Sequence, residues 1–223
     1  NNYFEMISRV VQPGDVVLDL GTGTGIHAFF AAKAGAKKVY AVDLDSIIET
    51  AKQTAEDNGL DGVVEFIRGD STEMELPEKV DVIISNLGFL GTLDSLPSVS
   101  EKFLKPHGRM IPDGVQMGFV PAAVNEFYEN TINFWSGEKY GLDFSAFKNV
   151  AANHPQYDFF DEKDFIAEPM QADMIRYNGP VAKDHTWNMQ FTISKDAEFS
   201  GLAGWYSFSH NGQVFLSTKP PMK

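Results

Sequence analysis

The run Asp19-Leu20-Gly21-Thr22-Gly23-Thr24-Gly25 constrains this chain more than any other seven residues. It follows the β-branched, apolar run Val16-Val17-Leu18 and precedes a helix-forming stretch that reaches Ala34. Glycines in that place let the backbone turn tightly from strand to helix, and they leave main chain that a ligand can approach because no Cβ stands in the way. A strand, glycine turn and helix in this order make the first unit of a doubly wound α/β sheet. Such sheets bind their ligands beyond the carboxyl ends of the strands.

The same alternation recurs downstream. Val39-Tyr40-Ala41-Val42 reads as a second strand, 46–58 as a helix, 63–67 as a third strand and 80–84 as a fourth. A helix ending near Leu104 and the turn Pro106-His107-Gly108 lead into Arg109-Met110-Ile111, a fifth strand. Short β-branched runs separated by helices build a parallel sheet covered on both faces, so residues 1–112 are expected to form a Rossmann-like α/β domain.

After Pro112 the period changes to two, the sign of antiparallel strands with one buried face. Trp187, Met189, Phe191 and Ile193 alternate with Asn188, Gln190, Thr192 and Ser194, and Asn211-Gly212 is a strong two-residue hairpin turn. Residues 113–223 are therefore expected to form a second domain of antiparallel strands, a β-barrel or a sandwich. Val124, Phe127, Tyr128, Ile132 and Trp135 lie at helical spacing, which inserts a helical arm at about 123–148.

The glycine spacing discriminates between nucleotides. A dinucleotide fingerprint wants glycine at position 26, where this chain has Ile26. An acid two residues before the first glycine suits a ligand that carries an amino-acid ammonium, as S-adenosylmethionine does, and Asp19 is the candidate partner. Asp43 ends the second strand 22 residues after Gly21, where a carboxylate reaches ribose hydroxyls. Gly69-Asp70-Ser71 follows the third strand, where Asp70 would accept from an adenine amino group and the Ser71 backbone would complete recognition. The candidate cofactor site is Asp19, Gly21, Thr22, Gly23, Gly25, Asp43, Leu44, Asp70 and Ser71. The plainer readings are a tight strand-to-helix connection for the glycines and a helix cap for Asp70.

Composition removes several alternatives. Lysine and arginine total 18 against 31 aspartates and glutamates, a formal charge of −13 that repels phosphate backbones. With no cysteine, disulfides, zinc-thiolate centres and cysteine nucleophiles are excluded. His27, His107, His154, His185 and His210 show no metal-ligand spacing, and no G-x-S-x-G turn is present. No apolar run approaches the ~20 residues of a spanning helix. The expectation is a soluble cytoplasmic protein that uses neither nucleic acid, membrane nor metal.

The glycine turn and its acids, with the 32–39 segment Ala-Lys-Ala-Gly-Ala-Lys-Lys-Val and Glu75-Leu76-Pro77, resemble the protein arginine methyltransferases, a class I methyltransferase family. Gly108-Arg109-Met110-Ile111-Pro112-Asp113 looks like that family's junction between cofactor domain and β-barrel. Tyr140-Gly141-Leu142-Asp143-Phe144-Ser145 is similar to the segment following its dimerisation arm. The resemblance implies S-adenosylmethionine as cofactor, methyl transfer to nitrogen or less readily oxygen of a protein side chain or small molecule, and a head-to-tail homodimer made by the arm.

One loop departs from the family. Arginine methyltransferases carry two glutamates after the fourth strand to hold the substrate guanidinium, whereas this chain has Asn86 in the first place and Asp94 as a stand-in for the second. A neutral amide supplies hydrogen-bond geometry without the charge. Asn86 and Asp94 are the catalytic candidates, Asn86 accepting a hydrogen bond from an amine or amide nucleophile with the Leu87 carbonyl assisting; the plainer role for Asn86 is to cap a turn. Two readings stand side by side: a nitrogen methyltransferase, and a cofactor-binding dimeric module without activity. A nicotinamide-dependent oxidoreductase, the third, is disfavoured by Ile26.

Overall fold

The computed structural model of the protein describes residues 2–177 and 184–220, with the backbone alone over 88–94. In chain order the first elements are α1 (Asn2–Val10), β1 (Val16–Leu20), α2 (Ile26–Lys33), β2 (Lys38–Asp43), α3 (Ile47–Asp57), β3 (Val64–Arg68), β4 (Val80–Ser85), α4 (Gly88–Phe103) and β5 (Leu104–Ile111). There follow β6 (Gly114–Ala122), α5 (Asn125–Thr131), β7 (Glu138–Lys139), β8 (Leu142–Asp143), α6 (Ala146–Asn153), β9 (Met170–Gln171), β10 (Ile175–Arg176), β11 (Gly201–His210) and β12 (Gln213–Ser217). The chain divides into two compact units. The first comprises 1–116, 174–186 and 206–217, and the second 117–173, 187–205 and 218–223. The chain thus enters the second unit at Met117, a few residues beyond the change of sequence period, and returns twice to the first.

The first unit is a mixed α/β structure on a parallel sheet ordered β3-β2-β1-β4-β5. β1 lies at its centre, pairing Val17 with Val39 on one side and with Val82 on the other. Every residue of β1 is buried, as a run of Val and Leu demands when helices cover both faces. Each such aliphatic side chain withdrawn from water contributes about 1.5–3 kcal/mol before chain entropy is set against it.

Helix α1 was not expected from the sequence. Its signal is Tyr3, Met6, Ile7 and Val10, spaced i, i+3, i+4, i+7, and all four are buried. The helix lies along α2, with the Phe4 and Phe30 rings 5.0 Å apart and Tyr3 and His27 4.5 Å apart. Arg109 of β5 fastens its end: Nη1 donates to the Val10 carbonyl at 2.6 Å, and Nη2 pairs with Asp15 at 2.7 Å. The expected Asn211-Gly212 turn joins β11 to β12, both residues at positive φ, the backbone of a two-residue hairpin.

In the second unit Gly118 and Phe119 of β6 pair antiparallel with Gln171 and Met170 of β9, and single bridges join Ala122 to Phe165 and Ala167 to Ile193. The core is Val120, Ala122, Phe165, Ala167, Ala203 and Trp205. Phe165 stacks on Trp205, and a Cβ at Gly118 would collide with the Trp205 indole, so the strand passes close only because that residue is glycine. The strand expected over Trp187 to Ser194 is not a ladder: Ile193 alone makes a bridge. Side-chain burial still alternates there, with Trp187, Met189 and Phe191 half-buried between exposed Asn188, Gln190 and Thr192. Period two therefore reported an extended chain with one inward face, and strand pairing is a separate property.

The expected helix over 124–135 is present as α5 and a 3-10 turn at Asn133–Trp135. With the β7–β8 hairpin and α6 it carries Trp135, Phe144 and Phe147 as a ring cluster, Trp135 lying 5.5 Å from Phe147.

Candidate functional site

The carboxyl ends of β1, β2, β3 and β4 lie at one edge of the parallel sheet, and backbone hydrogen bonds bring their loops together. The Gly21 and Thr22 amides both donate to the Val42 carbonyl at 2.9 Å, and the Gly69 amide donates to the Asp43 carbonyl at 2.9 Å. Gly21, Gly23 and Gly25 have φ of 70°, 52° and 81°, a left-handed backbone that side chains resist. Only Gly23 faces open space: a Cβ at Gly21 would strike the Leu87 side chain, and one at Gly25 the Phe29 ring. Gly21 and Gly25 are thus held to glycine by neighbouring side chains as well as by their left-handed backbone.

Asp43 holds the turn in place. Its Oδ2 accepts from the Gly23 amide at 2.7 Å and its Oδ1 from the Asp45 amide at 2.9 Å. Each carboxylate oxygen accepts more than one hydrogen bond, so ribose hydroxyls can still be met. Leu44 beside it is largely exposed, and its carbonyl accepts from Arg68 Nε at 3.3 Å. Asp70 is exposed; its Oδ1 accepts from both the amide and the hydroxyl of Thr72, which holds the carboxyl below its usual range. Ser71 follows it in a turn where no helix begins, so Asp70 caps a turn and not a helix.

Asp19 is wholly buried. Its Oδ2 accepts from the Thr22 hydroxyl at 2.6 Å and from the Ala28 amide at 3.1 Å, whereas its Oδ1 has no hydrogen-bond partner. Thr22 thus spends its hydroxyl inward on Asp19. Burial pushes the Asp19 carboxyl up to about 7; the Thr22 and Ala28 hydrogen bonds oppose the rise and the nearby Asp43 charge adds to it. A buried acceptor with an unused oxygen at the strand edge is what a ligand ammonium requires, so these residues fit the aminoacyl nucleoside that the glycine spacing suggested.

At the end of β4 the Asn86 side chain is exposed and makes no hydrogen bond among the described residues, so it caps no turn there. Asp94 lies on α4 by its backbone, and its side chain falls outside the described residues.

Sequence reasoning passed over the group that surrounds Asp19. Tyr3 of α1 donates its hydroxyl to the Ser85 carbonyl at 2.9 Å, and its ring meets His27 and Phe215. Burial pushes its phenol up, and Tyr206, Asp19 and Tyr177 each push it further. His27 is held down to about 4 because burial disfavours the imidazolium. An apolar cleft of about 450 Å³ opens elsewhere on this unit, between α2 and α3, and includes Ile26, Phe29, Ile47 and Leu60. Among the described residues no group of His, Asp and Glu is placed to hold a metal ion, and no helix is long and apolar enough to cross a membrane.

A parallel sheet whose strand ends gather acids about a glycine turn defines a class I methyltransferase fold. Residues 3–136 match the family model described as ribosomal protein L11 methyltransferase, and residues 118–223 match the arginine methyltransferase oligomerization subdomain. Within the class I methyltransferases, the chain belongs to the protein arginine methyltransferase-like family. It is 31% identical over 220 residues to a probable protein arginine N-methyltransferase 6.1 of Oryza sativa subsp. japonica, covering 93% of this chain and 56% of the relative. It is 37% identical over 157 residues to protein arginine N-methyltransferase 8-B of Danio rerio, covering 68% of this chain and 37% of the relative. The chain thus spans about half the length, or less, of these relatives. Among solved structures it is similar to the Trypanosoma brucei PRMT1 enzyme-prozyme heterotetrameric complex with AdoHcy, with a TM-score of 0.83, 27% identity, and coverage of 100% of this chain and 74% of the other. Arabidopsis thaliana protein arginine methyltransferase 10 gives a TM-score of 0.75 at 26% identity, covering 98% of this chain and 70% of that one.

Proposed function

We propose that the protein is an S-adenosylmethionine-dependent methyltransferase acting on a nitrogen of a protein side chain or small molecule, with oxygen the lesser alternative. The observation that carries this reading is Asp43, which ties Gly23, the glycine of the turn that opens on free space, to the strand end where ribose hydroxyls would be read. S-adenosylmethionine, when bound, supplies a methyl group already activated by positive sulfur. The protein's task is then to place an acceptor lone pair in line and keep water out. Asn86 would accept a hydrogen bond from the acceptor nitrogen, with the Leu87 carbonyl as a second acceptor. Arginine, the acceptor named for the relatives, would here be held by an amide where a carboxylate is expected, and with less charge.

The arm residues around Trp135 and Phe147, read as part of a barrel-and-arm domain, are proposed to dock into the α2–α3 cleft of a second copy. Tyr140, Phe147 and Val150 are all exposed, and the cleft is apolar, so each surface has an apolar counterpart on the other chain. A cofactor-binding module without activity is the second reading, favoured by Asn86 and by the Leu87 side chain that covers Gly21.

The test is incubation of the protein with radiolabelled S-adenosylmethionine and a cell extract, followed by separation into protein and small-molecule fractions, with Asp43→Ala as control. Label in either fraction that vanishes in the control supports transfer and identifies the acceptor class. Measured cofactor binding with no label anywhere supports the inactive module.

A further inference from the structure

Another recess of the first unit, of about 330 Å³, is walled by α1, the segment leading into β1, the edge strand β5 and the β11–β12 hairpin. It is separate from the cofactor edge. Arg109 reaches from it to Val10 and Asp15, both ahead of β1, whereas Asp19 and Asp43 lie near the far ends of β1 and β2. Arg9, Gln12, Arg109, His210, Asn211 and Gln213 line the recess, and among the described residues no aspartate or glutamate does. The whole chain has four arginines, Arg9, Arg68, Arg109 and Arg176, against 31 acids. Two of the four therefore meet in one place that carboxylates avoid.

The lining is a set of donors already held in place. Arg109 spends two of its five N–H groups on the Val10 carbonyl at 2.6 Å and Asp15 at 2.7 Å, which fixes the guanidinium and leaves three N–H groups unspent. Asp15 is nearly buried and does not line the recess. Arg9 is lightly engaged, its Nη2 3.9 Å from an exposed Glu5. His210 is buried, with Nδ1 2.8 Å from the Met110 carbonyl; a carbonyl only accepts, so Nδ1 carries the proton and the neutral ring presents Nε2 as an acceptor. Asn211 Nδ2 lies 3.2 Å from that Nε2 and keeps a second hydrogen, and its backbone amide is anchored on Asp113 Oδ2 at 2.6 Å. Gln12 Nε2 donates to the Arg9 carbonyl at 3.3 Å and likewise keeps a hydrogen, and Gln213 adds an exposed amide.

Donors that come from four segments surround an anion. A planar carboxylate is satisfied by the two parallel N–H groups of one guanidinium, whereas phosphate presents its oxygens in three dimensions and carries more charge. We propose that this recess binds phosphate, free or as a small monoester, with Arg9 and Arg109 meeting its charge and the side-chain amides of Gln12, Asn211 and Gln213 its remaining oxygens. The volume is at the small end of metabolite sites and leaves room for a short body beside the phosphate. A nucleic-acid backbone is disfavoured by the formal charge of −13. The site depends neither on the proposed cofactor nor on the methyl acceptor, and it gives the chain a further ligand.

Calorimetry on the whole chain with inorganic phosphate, glycerol 3-phosphate and acetate, at constant ionic strength, tests the site. At least one of the two phosphates should bind saturably, with a dissociation constant below about a millimolar, and acetate should bind far more weakly. The tighter of the two phosphates tells whether the free ion or its ester is the occupant. Arg9→Gln should weaken that ligand about ten-fold or more, the worth of a hydrogen bond between charged groups. Gln213→Glu sets a carboxylate among the donors and should weaken it at least as much. Both side chains are exposed, so the unliganded variants should melt with the parent. Lys52→Gln removes the same charge from α3, outside the recess, and should change binding by less than about two-fold. Equal losses in Arg9→Gln and Lys52→Gln would assign the binding to the general field and overturn the site. Acetate binding as tightly as phosphate, or no saturable binding of either phosphate by the parent, would overturn it as well. The methyltransferase reading is decided separately, by label transfer.

Discussion

The Gly23 amide donates to Asp43 Oδ2 at 2.7 Å, so the carboxylate expected to read ribose also fixes the turn that ribose would approach. Binding and local stability are coupled through one side chain. Asp43→Ala should lower cofactor affinity by at least about ten-fold, since charge-assisted hydrogen bonds are the strong ones. It should also cost about 1–2 kcal/mol of stability from the two amides it leaves unpaired. Calorimetry measures the first and denaturant unfolding the second; a variant with normal affinity would remove Asp43 from the site.

Asp19 and His27 make opposite contributions to stability in acid. The Asp19 carboxyl is raised to about 7 against about 3.9 when unfolded, so its contribution is complete below pH 4 and is lost as pH rises to 7. His27 is lowered to about 4 against about 6.5 unfolded, so its contribution is complete above pH 6.5 and is lost as pH falls through 4. Between pH 4 and 6.5 the two slopes, each at most about 1.4 kcal/mol per pH unit, oppose one another. Asp19→Asn should therefore expose a fall in stability with acid that the parent hides. Denaturant midpoints taken every half pH unit measure it; parallel curves for parent and variant would show that Asp19 ionises normally.

Much of the fold is legible from residue types alone. Val16-Val17-Leu18 and Val80-Asp81-Val82-Ile83-Ile84 could become little other than buried parallel strands, and Asn211-Gly212 little other than a hairpin turn. The acids at the strand ends were legible because chain connectivity alone brings them to one edge. What could not be read was set by long-range packing. Tyr177 looks like any alternating aromatic until the backbone pins it beside Asp113, and nothing in the glycine turn announces that Leu87 packs against Gly21. Helix α1 carries its i, i+3, i+4, i+7 apolar spacing in Tyr3, Met6, Ile7 and Val10, and what that face packs against is set by the distant α2.

Arg109 gives one side chain to three parts of the first unit: the end of α1, Asp15 ahead of β1, and its own strand β5. Asp15 is nearly buried, so removing the guanidinium leaves a carboxylate with less compensation than water would give it. Arg109→Ala should destabilise the protein by about 2 kcal/mol or more. The loss should be recovered in part by the double variant with Asp15→Asn, and additive effects in that cycle would show the pair to be uncoupled.

The proposed homodimer predicts that a charge on either face suffices to break it. Phe147→Glu places a carboxylate in the exposed ring cluster of the arm, and Ile26→Glu places one in the α2–α3 cleft. Each should convert a dimer to a monomer in light scattering without lowering the melting transition of the isolated fold, because both side chains are exposed within one chain. A parent protein that is monomeric at micromolar concentration would retire the arm-to-cleft pairing.

Asn86 separates transfer from binding. It stands just past β4 with its side chain exposed and unpaired among the described residues, so as an acceptor-orienting residue its loss should leave cofactor affinity intact. If it orients an acceptor nitrogen, Asn86→Ala should lower the transfer rate about ten- to a hundred-fold, the usual scale for a lost positioning contact. Asn86→Glu should do something different. A carboxylate in that place would hold a guanidinium by charge, and with arginine peptides as acceptor the rate should rise, whereas a neutral amine would gain less. Single-turnover transfer to arginine and amine acceptors, measured beside calorimetry on the same preparations, distinguishes these outcomes. Loss of cofactor binding in Asn86→Ala would assign the residue to the nucleoside site and remove it from the acceptor's.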